Sequence, residues 1–173
     1  MSPASVMSIV TKVTDIDEPG FSDEHGLHLA RENRASVRRT SAALESALAE
    51  ASRPGPAQWV ERVAAALTAL GEAFERHIQA NEAPGGLLAD MVEQSPRLAH
   101  LAETLRRDHD SLTAEIEALR VGLRAVAAGP VELDQVSDAR SRGLALLRHL
   151  SEHRHLGVEI VYEAYFVDIE AGD

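Results

Sequence analysis

Residues 96–128 read PRLAHLAETLRRDHDSLTAEIEALRVGLRAVAA, and the fold follows from their spacing. Leu98, Leu101, Leu105, Leu112, Ile116, Leu119, Leu123 and Val126 recur at intervals of three, four and seven, which places them on one side of a helix. Ser95 stands at the N-cap position with Pro96 at the first helical position, and Gly129-Pro130 closes the segment. One long amphipathic helix cannot bury its own stripe, so it needs partners of the same kind. Working outward, the chain offers three more. A first helix is expected from about Asp23 to Ala51, ending before Arg53-Pro54-Gly55-Pro56. A second runs from about Ala57 to Glu82, with Val63, Leu67, Leu70, Phe74 and Ile78 on its inner face, and stops at Ala83-Pro84-Gly85-Gly86. A short apolar piece, Leu87 to Val92, leads into the third. The fourth runs from about Glu132 to Asp168, with Leu146, Leu150, Ile160 and Ala164 as its inner stripe. No alternating run reads as a strand, apart from a doubtful Val158–Val161 stretch inside the fourth helical pattern. Four long helices with short connections predict an all-α, up-down-up-down four-helix bundle over residues 23–173. Residues 1–22 are small, polar and acidic and read as an N-terminal arm.

Composition narrows the chemistry. The 173 residues suffice for one domain with a core. Lys and Arg number 17 against 28 Asp and Glu, a net charge of −11. A surface of that sign repels phosphate and argues against nucleic acid or anionic membrane as a partner. There is no cysteine, which removes disulfides, iron–sulfur clusters and thiolate chemistry together. Aromatic residues are only 3%, so Ala, Leu and Val must fill the interior. Neither a signal peptide nor an apolar run of membrane-spanning length is present, and the expected location is the cytoplasm. No nucleophile elbow, phosphate loop or dinucleotide fingerprint occurs.

Eight histidines are the remaining signal. At about 100° per residue, His77 falls near Leu70 and Phe74, His109 lies between Leu105 and Leu112, and His153 lies between Leu150 and Ile160. These three point inward from three helices, in the same half of the bundle, whereas His100 and His155 point outward. Buried imidazoles without partners are costly, and one metal ion satisfies several of them at once. Iron or manganese takes mixed nitrogen and oxygen donors, so a carboxylate is expected beside them. Glu82 is the first candidate, because the Pro84 break lets its side chain swing in from a helix end. His149, one turn before His153, could be a further ligand or a hydrogen-bond partner. Glu159 and Glu163 lie on the flank of the fourth helix. Glu159 and Tyr162 could be further ligands or outer partners, and Tyr162 and Tyr165 otherwise read as packing residues. From the first helix, His28 could reach the site through a distorted first turn. Asn33, at the centre of that helix's apolar stripe, could instead fill the slot as an oxygen donor or an outer partner.

The stretches HIQANEAPGGLL (77–88), PRL through DH (96–109) and HRH through VYEAY (153–165) resemble the hemerythrin-like, HHE cation-binding family. Such a resemblance implies a non-haem iron centre inside the bundle, with two Fe per chain. It assigns His77 and Glu82 to the second helix, His109 to the third and His153 to the fourth as metal ligands. It further implies dioxygen, peroxide or nitric oxide as the small ligand, for binding, sensing or detoxification, or an oxidase or peroxidase activity. Three positions depart from the family's pattern. Asn81 stands four residues after His77 where an acid is usual, Leu105 precedes His109 by four, and Gly157 and Val158 follow His153 by four and five. Each departure removes a donor, so one Fe or another divalent metal is the alternative count. The rival readings are a metalloenzyme oxidising a small molecule, a metal-storage or sensor module, and a metal-free helical interaction domain.

Overall fold

The computed structural model describes the backbone of residues 24–50 and 55–170, and the side chains of 31–50, 55–93 and 95–158. The arm expected over residues 1–22 lies outside the described residues. Four long helices account for most of the described chain: α1 (Glu24–Ala49), α2 (Pro56–Glu82), α4 (Ala99–Ala127) and α5 (Leu133–Glu170). Between α2 and α4 lie the short helix α3 (Leu87–Gln94) and a 3-10 turn, Pro96–Leu98. Pro96 therefore opens that turn, and α4 proper begins three residues later than its position suggested. Among the described residues there is no strand, and Val158–Val161 is helical. No described helix is long and apolar enough to cross a membrane.

Helix contacts close a ring: α1 packs on α2 and α5, and α4 packs on α2 and α5. The main core is aliphatic, with Leu44, Leu67, Leu70, Leu112 and Leu146 all essentially inaccessible. Arg140 on α5 ties three helices together at one end. Its Nε donates to the Leu48 carbonyl at 2.9 Å and its Nη2 to the Glu50 carbonyl at 3.1 Å, satisfying the exposed end of α1. Its guanidinium also lies 5.2 Å from the centre of the buried Trp59 ring on α2. A second cluster, built on Leu88, Met91, Leu98, Ala102 and Leu105, packs α3 over the start of α4.

The exit from α2 is a tight turn. Ala83 leaves the helical region ahead of Pro84, Gly85 takes φ +72°, and the Gly86 N–H donates to the Ala83 carbonyl at 2.7 Å. Pro followed by a positive-φ glycine is the signature of a type II turn. A Cβ on Gly86 would lie 2.8 Å from the carbonyl oxygens of both Asn81 and Ala83. The turn fixes where the last residues of α2, Asn81 and Glu82, present their side chains.

Candidate metal centre

Phe74, one turn before His77 on α2, caps one side of the site. Its ring lies 5.8 Å, centre to centre, from each of the rings of His77, His109 and His153. The three imidazoles lie 4.8–5.5 Å from one another, and one potential ligand nitrogen from each falls within 4.8 Å of the others. His109 is 1% exposed and His153 8%. Three helices thus deliver imidazoles to one place, the convergence expected from their angular positions.

Carboxylates orient two of the rings. Glu82 Oε1 accepts from His109 Nδ1 at 2.5 Å, so the glutamate expected as a metal ligand reaches an outer ring nitrogen and is not one of the three residues whose ligand atoms converge. Asp108 Oδ2 accepts from His153 Nδ1 at 2.6 Å, while its Oδ1 accepts from His149 Nε2 at 2.9 Å. His149 Nδ1 in turn lies 2.8 Å from Glu115 Oε1, whose side chain is 43% exposed. His149 therefore stands outside the imidazole cluster, both nitrogens engaged by carboxylates. His153 Nε2 and His77 Nε2 face each other at 3.3 Å. His77 Nδ1 faces the Asn81 amide nitrogen at 3.3 Å.

Electrostatics follow from burial. His77 is pushed down to about 3, by desolvation first and then by His109, His153 and Arg34. Desolvation also lowers His153, against the pull of its hydrogen bond to Asp108. For Asp108, burial acts to raise the pKa, but the hydrogen bonds from His149 and His153 outweigh it and the net shift is downward. His149 moves the other way: desolvation is outweighed by its bonds to Asp108 and Glu115, which favour the imidazolium.

A cation fits these residues. His109 Nε2 is buried and has no hydrogen-bond partner among the described residues, a polar atom that otherwise carries a desolvation penalty. Carboxylates on the outer nitrogens of His109 and His153 leave lone pairs at the inner ones, an arrangement typical of metal-bound histidine. Three nitrogens bound tetrahedrally to one ion at about 2.1 Å lie about 3.4 Å apart. The Nε2 atoms of His77 and His153 are already 3.3 Å apart, and the widest separation in the set, within 4.8 Å, has to close by up to about 1.4 Å.

Of the other expected residues, Asn33 is buried on the inner face of α1. His100 and His155 are exposed. The side chains of His28, Glu159, Tyr162, Glu163 and Tyr165 lie outside the described residues, as do those of Ile160 and Ala164. Asp108 and Glu115 were not among the expected site residues. The signal that could have found Asp108 is the His149/His153 pair, one turn apart, which calls for a shared acceptor on the facing helix.

No family model, curated protein or solved structure matches this chain. The donor set has to be read from its own chemistry.

Proposed function

We propose that this chain is a non-haem metal-binding protein, with His77, His109 and His153 holding a single divalent transition-metal ion, iron first, inside an up-down-up-down bundle. The observation that carries the reading is the convergence of three imidazoles, one with an orphaned inner nitrogen. The antiparallel order is supported by contacts at both ends. Near one end Arg140 joins the finish of α1 to the start of α5, and toward the other the late α2 residue His77 meets the early α4 residue His109.

Imidazole nitrogens suit iron, zinc, copper or nickel, and the hemerythrin-like resemblance favours iron. Held by His77, His109 and His153, iron would supply the capacity to bind dioxygen, peroxide or nitric oxide. The protein's own part is to orient and to shield. Glu82 and Asp108 hold the His109 and His153 rings, and Phe74 packs against all three imidazoles. The hydrogen-bonded run Asp108–His149–Glu115 reaches from His153 to the exposed edge of α4, a route for protons between the interior and solvent.

Anaerobic loading with Fe(II), desalting and elemental analysis test the proposal. One iron per chain is expected. Two would bring in His28 and Glu159, the further donors the sequence offers. Protein that remains metal-free with Fe(II), Zn(II) and Mn(II) refutes the reading and leaves the histidines as polar core groups of an interaction domain.

A further inference from the structure

His77 differs from the other two imidazoles in what meets its Nδ1. Asn81, one turn further along α2, is buried, and its Nδ2 lies 2.6 Å from the His77 carbonyl oxygen. A carbonyl can only accept, so the short contact identifies that atom as the amide nitrogen. The second hydrogen of the same group is available to His77 Nδ1 at 3.3 Å, which must then act as acceptor. A neutral imidazole has one donor and one acceptor nitrogen, so the proton of His77 sits on Nε2. That hydrogen faces His153 Nε2, which can accept it because His153 donates its own Nδ1–H to Asp108. His109 and His153 thus turn lone pairs toward the interior, whereas His77 turns a hydrogen.

We infer that Asn81 is a positioning residue that holds His77 in its Nε2–H tautomer, so that metal capture requires this ring to carry its proton on Nδ1 instead. The second half of the inference rests on the metal-binding reading; the tautomer belongs to the metal-free protein and does not. In the exchange one proton leaves Nε2 and one is taken up at Nδ1, the ring stays neutral, and the freed Nε2 lone pair becomes the donor. An Nδ1–H would meet the Asn81 amide hydrogens head on. Among the described residues no carboxylate accepts there as Glu82 does for His109 and Asp108 for His153. Aspartate at position 81 supplies one.

Long-range 1H–15N spectra of chelator-treated protein read the tautomer directly, with His77 assigned by comparison with His77→Gln. The wild type should show His77 protonated at Nε2, and Asn81→Asp should show it protonated at Nδ1. Competition titration with Zn(II), a redox-silent probe, should show Asn81→Asp binding roughly 10- to 100-fold more tightly, the range over which outer partners tune metal-bound histidine. A packing role alone for Asn81 would leave the tautomer unchanged. Nδ1–H in the wild type overturns the inference, as does an aspartate variant whose His77 stays at Nε2–H. A switched tautomer with unchanged Zn(II) affinity overturns the link to metal capture. If the tautomer switches but neither protein binds Zn(II) or Fe(II), the metal reading fails and the hold of Asn81 on the ring stands.

Discussion

Replacing His77 with leucine should make the metal-free protein less sensitive to mild acid. The folded protein holds this imidazole near 3, against an ordinary value of 6.5. Below pH 6.5 the unfolded chain therefore takes up a proton that the folded one refuses. Stability associated with His77 is complete above pH 6.5 and falls as the pH drops from 6.5 toward 3, by about 1.4 kcal/mol per pH unit. Between pH 7.5 and pH 5 the wild type should lose about 2 kcal/mol that His77→Leu does not. Other shifted groups do not imitate this difference. His153 is also lowered, and it is present in both proteins. His149 is raised, so its contribution is present below 6.5 and is lost as pH rises through its folded value; it too is shared. Asp108 lies below its ordinary 3.8, so its stabilisation is lost only at pH values under the window. Urea unfolding followed by circular dichroism, with chelator present, measures both proteins at the two pH values. A wild-type-minus-variant difference that is the same at pH 7.5 and pH 5 would refute the argument that a buried neutral imidazole sits at position 77.

Three further outcomes follow from the geometry. His109→Ala and His153→Ala should each lower iron retained after anaerobic loading and desalting by more than roughly 10-fold, whereas His100→Ala, at an exposed position, should leave it unchanged. Asp108→Asn removes the charged acceptor shared by His149 and His153, and should weaken Zn(II) binding roughly 10- to 100-fold in a competition titration while retaining helical content. Gly86→Ala drives a Cβ against two backbone carbonyls and should destabilise the protein by about 1–3 kcal/mol in urea unfolding, with no neighbouring flexible side chain to absorb the clash.

The fold was readable because its signal is periodic. Leu105, Leu112, Ile116, Leu119 and Leu123 define one face of α4 without any knowledge of neighbours, and the same 100° step aims His77, His109 and His153 inward. Breaks were equally legible, since proline and glycine act locally: the Pro84-Gly85 pair ends α2 within the residues that contain it. Asp108 was not legible for the complementary reason. It sits about 100° from His109 on the same helix, off the apolar stripe, where a carboxylate normally faces water. Only the packing of α4 on α5 turns that flank toward His149 and His153, and such packing is a property of two helices at once. Asn81 was visible as a missing acid, but its consequence depends on which of its amide atoms meets the His77 carbonyl, a contact that no spacing rule supplies.

Seating the polar layer at one end of a continuous apolar core explains why the bundle tolerates it. The buried polar and charged residues among those described are Asn33, Asn81, Ser95, His109 and His153. Asn81 and the two histidines belong to the site itself. Asn33 is 15 residues before Leu48 (48 minus 33), about 22 Å along α1, and His77 is 18 residues after Trp59 (77 minus 59), about 27 Å along α2. Since Leu48 and Trp59 are both joined to Arg140, Asn33 falls within about one turn of the histidine layer. The opposite half is closed by Leu44, Leu48, Trp59, Val63 and Leu123, each almost fully buried, with Arg140 satisfying the end of α1. That half gains its stability from apolar burial, and its core runs without a break to Phe74, which packs on all three imidazoles. The imidazole layer is therefore carried by the same cooperative unit as the aliphatic core, which is why a proton refused at His77 registers in the unfolding of the whole protein.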